Sequence, residues 1–201
     1  MSQAADKPRA HAKLRRRSKV GAWTARERFS SPTTVVTPPS SYASKAFKIV
    51  YRPGKSVDDY VRQVASATPM QIVEIERAGV IGSLIKDLSK RMDIPSSRIF
   101  TILGIPKATA ERKAARRKVV AGSRGQAVIG MLKLLGIAQE IVANSTASKA
   151  KGFDAAKWLG QWIERPQPSL GGRKPADLLD TPTGVEVVAR LLGSIESGAY
   201  Q

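Results

Sequence analysis

Residues 83–118 read SLIKDLSKRMDIPSSRIFTILGIPKATAERKAARRK, and the reading of this stretch decides the fold. Leu84, Ile85, Leu88 and Met92 recur at helical spacing and make one apolar stripe. Ile94-Pro95 interrupts the stripe, and Ser96 is placed to cap the next helix. Ile99, Ile102 and Leu103 line that helix's inner face, and Gly104 stops it. Ile105-Pro106 turns the chain, and residues 107–118 read as a further helix. A short helix, a glycine turn and a second helix over 96–116 have the shape of a helix-turn-helix. The glycine permits a positive φ, and Leu103 and Ile105 pin the two helices together. In such a unit the first helix braces the DNA backbone and the second offers its N-terminal side chains to the major groove. Lys107, Thr109, Arg112, Lys113, Arg116 and Arg117 are donors suited to phosphates and guanine edges, and form the candidate DNA-contacting set. Two positions depart from the usual pattern: Phe100 stands where a small residue is common, and Pro106 where a capping Ser or Thr is common.

Upstream, residues 46–52 (AFKIVYR) read as a short strand ended by Pro53-Gly54. Ser56 caps a helix with Asp58 and Asp59 in its first turn, where the helix dipole favours anions, and with Val57, Tyr60, Val61 and Val64 as its apolar face. Thr68-Pro69 opens another, with Met70, Ile72 and Val73 expected to face inward and Ala78-Gly79 closing it. Downstream, Gly122-Ser123 precedes a long helix over 126–144. Val128, Met131, Leu132, Leu135, Ile137, Ala138 and Ile141 cover more than one of its faces, which predicts burial at a domain centre or a dimer interface. A symmetric homodimer built on this helix is the expectation. A helix over 153–163 follows, then the Leu170-Gly171-Gly172 turn and a short helix over 175–179. The last helix runs from Thr183 to about Ser197, is capped by Thr181 or Thr183, and has Val185, Val188, Leu191, Leu192 and Ile195 as its buried stripe. No strand alternation is visible after residue 55, so the fold class is all-α.

The 201 residues carry 34 Lys and Arg against 16 Asp and Glu, a net charge of +18. A surface that basic favours a polyanion or an acidic protein as partner. Ten basic and three acidic side chains fall in 86–118, whereas 119–201 is nearly balanced with nine and seven. The other basic block lies in 1–44, which contains KLRRRSK at 13–19 and then a Ser/Thr/Pro stretch. Its low hydrophobicity and high charge predict a disordered segment, either a solubilising tail or a basic arm that touches phosphate when the folded part docks on DNA. With no cysteine, disulfides, thiolate catalysis and Cys-ligated metals are excluded. His11, in the arm, is the sole histidine, which leaves the folded part without Ser–His chemistry or His-based metal sites. Asp177, Asp180, Glu186 and Glu196 have no cationic or metal partner at a recognisable spacing and fit a polar helix face. The reading is a binding protein rather than an enzyme, with no cofactor. No secretory signal is visible and the most apolar stretch falls short of about 20 apolar residues, so a cytoplasmic protein without a membrane span is expected.

Residues 169–200 read SLGGRKPADLLDTPTGVEVVARLLGSIESGAY. Trp158, Trp162, Pro168, Leu170-Gly171-Gly172, Pro175, Leu178-Leu179-Asp180-Thr181, Gly184, Leu192, Ile195-Glu196 and Gly198, taken in order, resemble the C-terminal domain of antitoxins of the Xre/MbcA/ParS family, from RES–Xre toxin–antitoxin modules. Residues 81–117 resemble that family's Xre-like helix-turn-helix domain, and the likeness extends over about 56–201. It implies a helix-turn-helix DNA-binding domain at 56–120 and a helical toxin-binding domain at 124–201, behind the arm of 1–44. It implies an antitoxin of a type II system that dimerises, binds a RES-domain toxin and represses its own promoter at operator DNA. Such toxins degrade NAD⁺ or use it for ADP-ribosyl transfer. The family places the extreme C-terminus at the toxin's NAD⁺ pocket, which maps to Gly198, Ala199, Tyr200 and Gln201. The alternative is a stand-alone helix-turn-helix regulator with no toxin partner.

Overall fold

The computed structural model describes residues 49–116, 118–145 and 152–196. The arm, Arg117, and the candidates Gly198, Ala199, Tyr200 and Gln201 lie outside the described residues. The chain divides into two units, Met1–Ser44 and Lys45–Gln201, and all described residues belong to the second. The elements run α1 (Val57–Ala65), α2 (Pro69–Ala78), β1 (Val80–Ile81), α3 (Gly82–Arg91), α4 (Ser96–Ile102), α5 (Lys107–Ala115), β2 (Val119–Val120), α6 (Ser123–Asn144), α7 (Ala155–Trp162) and α8 (Pro182–Glu196). Two single 3-10 turns, Pro168–Leu170 and Pro175–Leu178, lie between α7 and α8.

The described chain is all-α apart from one ladder of two residues per strand, in which Val80 pairs with Val120 and Ile81 with Val119, antiparallel. Two residues are too few to show an alternation, so this ladder is invisible to periodicity. The strand expected at 46–52 does not form over its described part, residues 49–52. Ile49 and Tyr51 are buried while Val50 and Arg52 are exposed, the alternation of a strand, but no neighbour completes a ladder there.

Side chains cap four of the eight described helices, α1, α2, α7 and α8. The Ser56 hydroxyl accepts from the Asp58 amide at 3.2 Å. At α2 the Thr68 hydroxyl accepts from the Gln71 amide while the Gln71 side chain accepts from the Thr68 amide, a reciprocal capping box. Thr181 caps α8, its hydroxyl accepting from the Gly184 amide at 3.1 Å. Asp154 caps α7 by accepting from the amides of Ala156 and Lys157. Ser96 is not a cap. Pro95 takes the N-cap position of α4, and the Ser96 hydroxyl instead lies 2.8 Å from that of Ser89. In α2 Ile75 is buried and the expected Ile72 packs half-buried against the core beside it, whereas Met70, expected inward, is 66 % exposed, because the covered face is centred on Ile75 and not on Met70.

The core is built around α6. Ala127, Val128, Ile129, Met131, Leu132, Leu134, Leu135 and Ala138 are all buried, and they point to several sides. Val57, Tyr60, Val61 and Val64 of α1 meet α6 on one side, and Val185, Val188, Leu191 and Leu192 of α8 on another. Of the two readings of this helix, the structure shows the domain centre: its apolar breadth is covered inside one chain as far as Ala138, and Ile141 and Val142 beyond it are half-buried. By length and composition α6 would also suit a membrane, yet eleven of its 22 residues are buried against the protein's own helices.

Two glycines fix the arrangement. Gly104, at φ 61°, makes the turn between α4 and α5. Gly160 lets α7 pack onto the end of α3, since a Cβ there would lie 2.3 Å from the Met92 carbonyl oxygen.

Candidate functional site

The helix pair α4–α5 forms as the sequence predicts. The Ile105 amide donates to the Phe100 carbonyl at 2.8 Å and the Gly104 amide to Thr101 at 3.0 Å, which closes α4. Leu103 and Ile105 are 1 % and 3 % exposed, so the turn is pinned from inside. Phe100 is buried as well, as part of the core cluster. Pro106 caps α5 without a side-chain bond; its carbonyl accepts from the amides of Thr109 and Ala110 at 2.9 and 3.0 Å. The helix ends at Ala115, short of the expected 118. The Lys118 amide donates to the Lys113 carbonyl and its own carbonyl accepts from the Gly82 amide, which draws the chain out into β2.

Ala110 faces the core, and Lys107, Ala108, Glu111, Arg112, Ala115 and Arg116 are exposed. Their spacing of i, i+1, i+4, i+5, i+8 and i+9 makes one outward face with three cations. Glu111 sits on the same face, 4.0 Å from the Lys107 ammonium. The other expected contacts are not all alike. Thr109 is half-buried at the edge of the face. Lys113 is half-buried, and its ammonium donates to the Val119 carbonyl at 2.8 Å, which fastens α5 to β2.

Two cations of the basic block are spent inside the fold, at partners far away in sequence. Arg91 of α3 donates through Nε to both carboxylate oxygens of Asp58, at 3.1 and 2.9 Å, and through Nη1 to Asp154 at 2.7 Å. Gln139 of α6 donates to the same Asp58 at 2.8 Å. Four elements therefore meet at this cluster. Arg98 of α4 grips Glu164, just after α7, with Nε at 2.5 Å and Nη2 at 3.0 Å. Lys174 lies 3.4 Å from the second oxygen of Glu164. Sequence reading missed both clusters, although Asp154 before an apolar helix was a legible capping signal.

These clusters give the stability a defined pH dependence. The Arg98 guanidinium holds the Glu164 carboxyl below its usual range, against partial burial, with Lys174 adding to the effect. At Asp154 burial pushes the carboxyl up, but the hydrogen bonds from Arg91 and from the α7 amides outweigh it and the net direction is down. A carboxyl depressed in the fold stabilises it above the unfolded value, about 4.3 for Glu, and this stabilisation is lost as the pH falls through the lower folded value. Glu164→Gln is therefore expected to lower stability by about 1 kcal/mol at pH 7, the scale of a partly exposed forked pair. The gap to wild type closes as the pH drops below about 4. Denaturant titrations at pH 7 and pH 3 check this, and a gap of equal size at both would contradict it.

Comparison with known proteins bears on residues 152–198, which match the model of the antitoxin Xre/MbcA/ParS C-terminal toxin-binding domain. A protein of Sphingobium sp. (strain YBL2) named "Prs ADP-ribosylating antitoxin" is 35 % identical over 134 residues, 67 % of this chain and 83 % of that one. "Antitoxin Xre" of Yersinia enterocolitica serotype O:8 / biotype 1B (strain NCTC 13174 / 8081) is 23 % identical over 129 residues, 64 % of this chain and 80 % of that one. With a toxin-binding domain behind the helix pair and a relative matched over most of its length, the chain belongs to the Xre/MbcA/ParS family of antitoxins and is a toxin-binding member of a toxin–antitoxin system.

Proposed function

We propose that this antitoxin neutralises a RES-domain toxin that degrades NAD⁺ or uses it for ADP-ribosyl transfer, and that it represses its own operon by binding operator DNA. The observation that carries the toxin assignment is the Sphingobium relative, whose name joins ADP-ribosylation to an antitoxin. ADP-ribosyl transfer draws its group from NAD⁺, the substrate expected for a RES-domain toxin. In this reading residues 124–201 bind the toxin and 56–120 bind DNA, two tasks on one core. Gly198, Ala199, Tyr200 and Gln201 follow α8 and enter the toxin's NAD⁺ pocket, with the Tyr200 ring as the plug. A stand-alone regulator has no observation in its favour.

The DNA reading is supported by the outward face of α5, where Lys107, Arg112 and Arg116 are exposed beside the turn. Laid in the major groove, this face brings forked donors to phosphates and guanine edges. A homodimer would set two such helices about 34–36 Å apart on a palindrome. Because α6 is covered within its own chain, the pairing surface belongs elsewhere than on its buried faces.

Replacing Lys107 and Arg112 together by Ala is expected to weaken binding to the DNA upstream of the gene by several kcal/mol, at about 1–3 per contact. Both side chains are exposed, so the helical signal and thermal midpoint stay as in wild type. An unchanged mobility shift at fixed salt would contradict the assignment. For the toxin, NAD⁺ consumption by a RES-domain enzyme is titrated with the full chain and with a chain ending at Ser197. Full inhibition by the first and incomplete inhibition by the second, with both still bound, is expected. Equal inhibition by both would remove the plug and leave occlusion to the body of the domain.

A further inference from the structure

Nearly all of the large apolar side chains in the described part of the toxin-binding segment are consumed by the core. Leu159, Trp162, Ile163, Leu179, Val185, Val188, Leu191 and Leu192 are buried. Phe153 differs: it is 45 % exposed at the start of α7. Its ring meets Trp158 at 6.2 Å between centroids, tilted by 54°, and Trp158 stacks on the buried Trp162 at 5.9 Å and 20°. An aromatic ladder thus runs from the core to the surface. It borders a pocket of about 300 Å³ whose other walls are Ala138, Ile141 and Val142 of α6, Ser145 just after it, and Ile195 of α8.

We propose that this pocket is where the toxin seats an apolar side chain, with Phe153 as its rim. The inference rests on the reading of 152–198 as toxin-binding, and it names the place of contact within that segment. Three observations select the occupant. Phe153, Trp158 and Ile195 all belong to the matched toxin-binding domain. No charged side chain lines the pocket, so it offers nothing to the phosphates that the α5 face suits. Aromatic rings around a small concavity are the composition of a protein–protein anchor site, where one projecting side chain is desolvated. The basic face of α5 and this neutral aromatic pocket therefore serve partners of different chemistry.

The test uses the full chain and a RES-domain toxin in calorimetric titration. Phe153→Ser is expected to raise the Kd at least ten-fold, and Val142→Ser, from the α6 wall, to repeat the loss. Lys157→Ser, an exposed change on α7 away from the pocket, is expected to stay within two-fold. Thermal midpoint and sedimentation without toxin are expected to be alike for all four proteins. Wild-type binding that survives both pocket substitutions overturns the pocket alone; absence of wild-type binding overturns the RES reading and the pocket with it. A changed oligomeric state of Phe153→Ser without toxin overturns the proposal in favour of a second copy of the chain. A shift of Trp emission on ending the chain at Ser197, again without toxin, overturns it in favour of the chain's own C-terminal residues.

Discussion

Burial of α6 on several sides is the constraint on which the rest of the structure depends. A helix with apolar residues all round cannot rest on a surface; it needs neighbours on every side. Here α1, α2, α7 and α8 supply them. The helix is thus a shared post, and the helices before it and after it contribute to one contiguous cluster running from Ile49 to Leu192. A large-to-small change at a fully buried position such as Leu132 would leave a cavity common to both halves, on a scale of about 2–5 kcal/mol.

Polar contacts then tie the helices before α6 to the toxin-binding segment. Arg91 ties α1 and α3 to the start of α7, and Arg98 ties α4 to the residues after α7. Gly160 allows the backbones of α3 and α7 to touch between these two grips. With α4 held in this way, the turn at Gly104 and the inward Ala110 leave α5 only one face to show to solvent. That face carries Lys107, Arg112 and Arg116. The pocket rimmed by Phe153, by contrast, is lined by no charged side chain.

Much of this was legible in the sequence, because local patterns decided it. The stripe Leu84, Ile85, Leu88 and Met92 is buried as read, and so are Ile99, Ile102 and Leu103. The caps at Ser56, Thr68 and Thr181 are local hydrogen bonds and were visible as residue types. What escaped was non-local. Periodicity placed Met70 inward, but in a helix with weak amphipathic bias only the neighbours decide which face is covered, and they chose Ile75. Charge counting treated 86–118 as one block, whereas Arg91, Arg98 and Lys113 are engaged with partners inside the fold. The partners of the two arginines, Asp58, Asp154 and Glu164, stand 33, 63 and 66 residues away, beyond the reach of any local motif. The two-residue ladder was too short to read.

One core unites the helix pair α4–α5 and the toxin-binding segment through α6. Equilibrium unfolding in denaturant tests it most directly, followed by ellipticity at 222 nm for all helices and by tryptophan emission for Trp158 and Trp162, in a chain carrying Trp23→Phe. Coincident curves with a single midpoint are predicted, the mark of a single cooperative unit. Tryptophan emission that reaches its unfolded value while half or more of the helical signal persists would show two independent cores and contradict the account.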